Sequence, residues 1–203
     1  RRQRQMCIRD SNYQEGVIKT NDISKVNLKS NINHEMFKWL KVGANISGNY
    51  LHNNRIPGAN LGSTIIGRAV QQRPFDRPYK PNGGYYTGGT DELLLHNAVQ
   101  ILSEETSYTD NYRFIGSFWA EAQIIKGLTV RASYNNDSAY TYDYIYYNQN
   151  HPYAADKGRI LDRNRFVMTN TIDLYANYNR KIGEDFELGA MVGHSFLKTR
   201  SRT

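Results

Sequence analysis

Five histidines, His34, His52, His96, His151 and His194, are the first residues to weigh for chemistry. None stands at metal-ligand spacing from another His or from the single cysteine, Cys7. His194 and Ser195 are adjacent. Neighbours on a strand point to opposite faces, so this pair cannot make the nucleophile–base contact that a hydrolase needs. The run from Gly83 to Gly89 is glycine-rich but lacks the lysine and following helix of a phosphate loop, and reads as a flexible surface loop. Asp91-Glu92 and Glu104-Glu105 offer oxygens to a hard cation such as calcium, though carboxylates that merely keep a loop solvated are the simpler account. No catalytic residue, metal ligand or cofactor is expected, and the chain is not expected to be an enzyme.

Recognition is the sharper expectation. Sugars are gripped by aromatic faces together with amide, carboxylate and guanidinium groups. Arg73, Asp76, Tyr79, Tyr85 and Tyr86 fall in one long loop. Arg113, Trp119, Glu121, Arg131, Asp137 and Asp143 fall on the polar side of alternating strands. Lining wet space, or packing against another part of a larger protein, is the plainer role for all of them. Trp119, an indole on a polar face, fits either role.

The elements that carry these residues are set by a period of two. Val26, Leu28, Ile32 and Met36 alternate with Asn27, Lys29, Asn31, Asn33 and Glu35. After Phe37-Lys38-Trp39, Leu40, Val42, Ala44, Ile46 and Tyr50 alternate with Lys41, Asn45, Ser47 and Asn49. That pattern predicts a hairpin of two long strands, apolar on one face and polar on the other. The unit recurs, giving expected hairpins over 25–52, 111–146 and 164–199, with long loops over 53–110 and 147–163. Pro57, Pro74, Pro78 and Pro81 punctuate the first loop, and a short helix is predicted near 63–72, where Ser63 could cap.

Mean hydropathy is −0.71 and hydrophobic content 39%, which is polar for a chain meant to seal a large core. Tyrosine dominates the aromatics, 16 against 2 Trp and 7 Phe. Its amphipathic ring suits a boundary between oil and water. The net charge of +7 is scattered rather than gathered in a stripe, so no nucleic-acid partner is expected. No run is long and apolar enough for a transmembrane helix, but a barrel strand needs only about 9–11 alternating residues. Residues 1–11 are basic, hold the lone cysteine and resemble translated adapter sequence, so they are expected to be a non-native tail. Residues 12–24 read as a loop or the end of a strand that lies outside the chain.

Two architectures place apolar residues on one face of antiparallel strands. In a soluble sandwich that face is the core; in an outer-membrane barrel it meets lipid. The strands here alternate for about twice the usual 5–6 residues. Every hairpin has a tight turn at one end and a long polar loop at the other, as bacterial barrels do. Tyr140, Tyr142, Tyr144 and Tyr146 sit at a loop end, while Phe37, Trp39 and Phe186 sit at turn ends, the placement of two interfacial girdles. The expected class is all-β: an antiparallel meander of about six strands, part of a larger transmembrane β-barrel, with open edges. A soluble carbohydrate-binding or adhesin sandwich is one alternative, and an outer-membrane hydrolase another.

Residues 31–50 (NINHEMFKWLKVGANISGNY), Arg68-Ala69-Val70-Gln71-Gln72-Arg73-Pro74 and Pro78-Tyr79-Lys80-Pro81-Asn82-Gly83-Gly84 resemble the barrel of SusC/RagA-type TonB-dependent outer-membrane transporters. His96-Asn97-Ala98-Val99 stands where that family commonly shows Asn-Pro, with Ala98 in the proline's place. The resemblance runs from about Tyr13 to the end. It implies an energised importer of glycan fragments or peptides in the Gram-negative outer membrane. Its implied partners are a SusD-like surface lipoprotein, the TonB complex acting through a plug domain, the surrounding outer-membrane lipid, and an oligosaccharide or peptide cargo. It also implies that these strands are a fragment of a barrel of about 22.

Overall fold

The computed structural model describes residues 3–56, 65–72, 77–86, 97–152, 154, 157–182 and 186–203. Seven strands form one antiparallel sheet in sequence order. They are β1 (Gln3–Glu15), β2 (Asp22–Phe37), β3 (Leu40–Asn54), β4 (Glu105–Ile125), β5 (Leu128–Tyr147), β6 (Arg159–Ile182) and β7 (Phe186–Arg202). Among the described residues two helices of about two turns, α1 (Ile65–Gln71) and α2 (Ala98–Glu104), lie in the long connection between β3 and β4. The helix expected near 63–72 is therefore present; Ser63, its expected cap, lies outside the described residues. α2 was not foreseen, because seven residues are too few for a periodic signal.

Alternation decides which side each residue faces, and register carries that choice across the sheet. Val26 pairs with Tyr50, Tyr50 with Tyr112, Tyr112 with Tyr140, and Tyr140 with Phe166. Even-numbered residues of β2–β7 thus share one face and odd-numbered residues the other. On the even face Phe118, Tyr134, Ile172 and Phe196 form another cross-strand row, each 42% or more exposed. No second layer covers them among the described residues. The buried apolar side chains, Ile65, Ala98, Ile101 and Ala154, all lie in the connections rather than in the sheet. Ile18, Ile56 and Leu102 pack around the first three, making a small cap at the long-loop end.

The short turns fix a stagger. β4 runs three residues past Ala122, the partner of Leu40, before turning. β6 runs four residues past Tyr178, the partner of Leu128. Each hairpin tip therefore reaches further than the one before it. Roughly seven residues of slip over four strands tilts the strands on the order of 50° from the perpendicular to the line of tips. That slip is the shear a sheet needs to curl into a barrel. Gly127 makes the second turn possible: its φ is +88°, and a Cβ there would lie 2.5 Å from the Asn179 carbonyl oxygen.

β1 departs from the expected organisation. The sheet has seven strands instead of about six because residues 3–15, read from sequence as a tail and a loop, pair with β2 along their whole length. The alternation of β1 is out of phase with the rest. Cys7, Arg9 and Ser11 share the even face with Ser30, Leu28 and Val26, while Met6 and Ile8 share the odd face with Asn31 and Lys29.

Candidate functional site

The odd face carries the polar chemistry, and β4 and β5 position most of it. Near the short-turn end, Trp119 lies flat over Gly43, where a Cβ would come within 2.4 Å of the indole. The Arg131 guanidinium sits 4.4 Å from the indole centroid. Glu121 lies 3.6 Å from the same Arg131. An aromatic plate, a cation and a carboxylate are thus gathered into one cluster. Further along, Arg113 grips Asp137 with two bonds, Nε to Oδ1 at 2.9 Å and Nη2 to Oδ2 at 2.6 Å. At the loop end, Asp143 takes a bond from the Thr109 hydroxyl at 2.5 Å and faces Arg55 at 3.4 Å. These three groups are spread along strands; Arg113 and Glu121 alone are about 27 Å apart along β4.

Asp173 adds a fourth polar group that sequence reasoning passed over. Ser195 donates to it at 2.6 Å, Asn135 at 3.1 Å and Ser133 at 3.3 Å. Three neutral donors from the two flanking strands, β5 and β7, hold one carboxylate on β6. Alternation alone puts Asp173 on the odd face, so the face was legible; the convergence needed the register. Ser195 spends its hydroxyl on Asp173 while His194 points to the even face, as its strand neighbour must. Among the described residues no three His, Cys, Asp or Glu side chains are grouped to hold a metal ion.

The loop residues form a separate cluster. Tyr79 and Tyr85 face each other across a two-residue bridge, with ring centroids 5.7 Å apart. Asn97 organises this hairpin from beneath. It is fully buried, and its amide donates to the Pro78 carbonyl at 2.7 Å and the Tyr86 carbonyl at 3.0 Å. Its oxygen meanwhile accepts from the first amides of α2. Tyr79 is exposed and Tyr86 half-buried. Arg73 and Asp76 lie outside the described residues.

A buried joint links this connection to the one between β5 and β6. His151 and Glu105 bring Nε2 and Oε2 within 3.6 Å, with side chains 0% and 5% exposed. The His151 ring packs on Tyr147 at 4.6 Å. Gln100 donates to the Asn150 carbonyl at 2.8 Å, and the Asn148 amide to the Glu104 carbonyl at 2.9 Å. Burial pushes the Glu105 carboxyl up to about 7, and the nearby Arg55 charge pulls it part of the way back.

On the even face, tyrosines gather toward the long-loop end. The Tyr50 and Tyr112 rings meet tilted at 4.8 Å, and those of Tyr108 and Tyr144 at 5.1 Å. Several hydroxyls turn to polar partners: Tyr50 to Asp110, Tyr140 to Asn164 and Tyr142 to Asp162. At the opposite end Phe37 and Trp39 lie parallel, 5.7 Å apart. The two sets bracket the apolar rows as interfacial girdles bracket hydrocarbon.

Comparison with known proteins agrees with this geometry. No family model matches the chain. It is 25% identical over 195 residues to the TonB-dependent receptor P26 of Formosa agariphila, covering 91% of this chain and 18% of that protein. Its fold is that of part of the solved RagAB peptide transporter, with a TM-score of 0.79 and 21% identity over 98% of this chain and 23% of that one. The RagAB peptide importer in its open-open state gives a TM-score of 0.75 and 23% identity, over 97% of this chain and 23% of that one. The chain therefore spans about a fifth of the length of the proteins it resembles, and its sheet is an open run of antiparallel strands from a barrel wall.

Proposed function

We propose that this chain is part of the wall of a SusC/RagA-type TonB-dependent transporter in the Gram-negative outer membrane. One observation carries this: a single staggered sheet whose apolar face is exposed along six strands while its other face is laced with ion pairs and amides. A soluble sandwich would seal those rows between layers; a barrel wall turns them to lipid. The described residues contain no helix long and apolar enough to cross a membrane.

The parent protein, in this proposal, imports oligosaccharides or peptides, energised through TonB and a plug, beneath a SusD-like lipoprotein. Its work is transport and not bond-making. Support comes from the resemblance to a TonB-dependent receptor and from the fold shared with the RagAB peptide transporter. Tyr79, Tyr85 and Tyr86 at the loop, with Arg73 and Asp76, are the proposed outer contacts for cargo or lid. Trp119, Glu121 and Arg131, and then Arg113, Asp137 and Asp143, are the proposed inner contacts for cargo or plug. The inverted phase of β1 would set Arg9 against lipid beside Leu28, at roughly 2–4 kcal/mol near the midplane, which supports reading residues 1–11 as a non-native tail.

Detergent dependence tests the proposal. The chain should aggregate in plain buffer and become monodisperse in detergent or bilayers. A detergent-free monomer that melts cooperatively would overturn it and restore the sandwich.

A further inference from the structure

We propose that Lys198, Arg200 and Arg202 form a ladder that binds the phosphates of outer-leaflet lipid headgroups. The proposal rests on the barrel reading above. The outward positions of β7 run Phe186, Leu188, Ala190, Val192, His194 and Phe196, and then change abruptly to Lys198, Arg200 and Arg202. The inward positions between them are Thr199 and Ser201. Three cations in succession on one side of a strand stand about 6.8 Å apart from one to the next.

Their height follows from the stagger. Arg202 pairs with Phe166, and register traces that row through Tyr140 to Tyr112, the top of the apolar run in β4. The strand slip lowers the same membrane level by about five residues between β4 and β7. The level reached by Tyr112 in β4 thus falls in β7 at about residue 197. That is where the apolar run of β7 ends. The three cations therefore begin at the edge of the hydrocarbon on the long-loop side, where lipid phosphates lie.

The strand they pair with, β6, supplies no counter-charge. The Cα partners are Asn170 for Lys198, Met168 for Arg200 and Phe166 for Arg202. Among the described residues none of the three meets a carboxylate. The inward cations Arg55, Arg113 and Arg131 contrast with them, each facing its own acid. Met168 and Phe166 offer apolar surface for the arginine stems, leaving guanidinium forks at phosphate height. A freely diffusing phosphate gains nothing from that apolar floor, whereas a headgroup carries acyl chains that match it.

Flotation of the full chain with vesicles tests this. Vesicles of phosphatidylcholine alone are compared with phosphatidylcholine mixed with phosphatidylglycerol. The variant K198Q/R200Q/R202Q should lose the preference for the anionic vesicles by about fivefold per cation. The variant R159Q/R163Q/R165Q, which removes equal charge from the inward face of β6, should keep it. Millimolar inorganic phosphate should not displace the unmodified chain. Equal losses in both variants, or displacement by inorganic phosphate, would overturn the ladder. Failure of Trp emission to shift blue with neutral vesicles would instead count against the barrel itself, so the two failures are distinguishable.

Discussion

Ile172, Asp173 and Leu174 follow one another on β6 and live in different worlds. Ile172 and Leu174 are each 52% exposed on the outward face, with no protein layer over them among the described residues. Asp173, between them, is half-buried on the inward face under three donors from its two flanking strands. A soluble sheet assigns its apolar face to the core and leaves its polar face to water. Here the polar face is the one knitted together, and the apolar face has no protein to touch. The difference teaches that the sheet is stabilised inward by cross-strand polar bonds and outward by what surrounds it.

The sharpest way to break that contrast is to put the same charge on neighbouring residues. Ile172→Arg should weaken insertion by about 2–4 kcal/mol, while Thr171→Arg, one residue away and facing inward, should cost under about 1 kcal/mol. The readout is the urea concentration at which vesicle-bound chain loses protease resistance. Equal penalties would mean the faces do not meet different media. Next in size is a pair of glycines. Gly43 lies under Trp119, and Gly43→Val must lift the indole and strip it from Arg131. About 1–3 kcal/mol of destabilisation and a change in Trp emission should follow. Gly48 faces outward with nothing within 4 Å of a built Cβ, so Gly48→Ala should leave the urea midpoint and the emission where they are.

How much of this was legible beforehand depends on how far apart the cooperating residues lie. The faces of β2 through β7 were written in the period of two, because alternation is a local property. The girdle tyrosines and the Phe37–Trp39 pair were legible for the same reason. Arg113 and Asp137, or Trp119 and Arg131, could be assigned to a face but not to each other, since their pairing depends on register across a turn. Asp173 needs three strands in register, and nothing near it in the chain announces Ser195 or Ser133. β1 was not foreseen, because its polar and apolar residues contradict the phase of the sheet it joins. Asn97 looked like a family landmark; its work as cap and loop clasp appears only when Pro78 and Tyr86 are brought to it.

A smaller effect should appear at the loop joint, above the apolar rows, where proton binding replaces face as the variable. Burial raises the Glu105 carboxyl from 4.5 to about 7 in the closed joint. The closed form therefore holds its proton more tightly than the open form. Its contribution is fully present below the open-state value and is lost as pH rises through about 7. Hydrogen exchange at the Asn148 amide, which is bonded to the Glu104 carbonyl, reads the opening. Between pH values of about 5 and about 8, exchange should rise faster than its intrinsic base catalysis, and Glu105→Gln should abolish the excess. The two inserted faces, lying below the joint, should show no matching change.

The smallest effect expected is at the most conspicuous bond. Arg113 and Asp137 make a two-pronged contact, yet their side chains are 49% and 41% exposed. Water screens such a pair, and ordering two flexible side chains offsets part of the attraction, so a double-mutant cycle should return about 0.5–1 kcal/mol at low salt. Added salt should shrink that coupling, because the wet inward face lets ions in. If the coupling instead reaches several kcal/mol and ignores salt, the inward face is dry. It would then be a packed interior, and the assignment of lipid to one side and water to the other would have to be reversed.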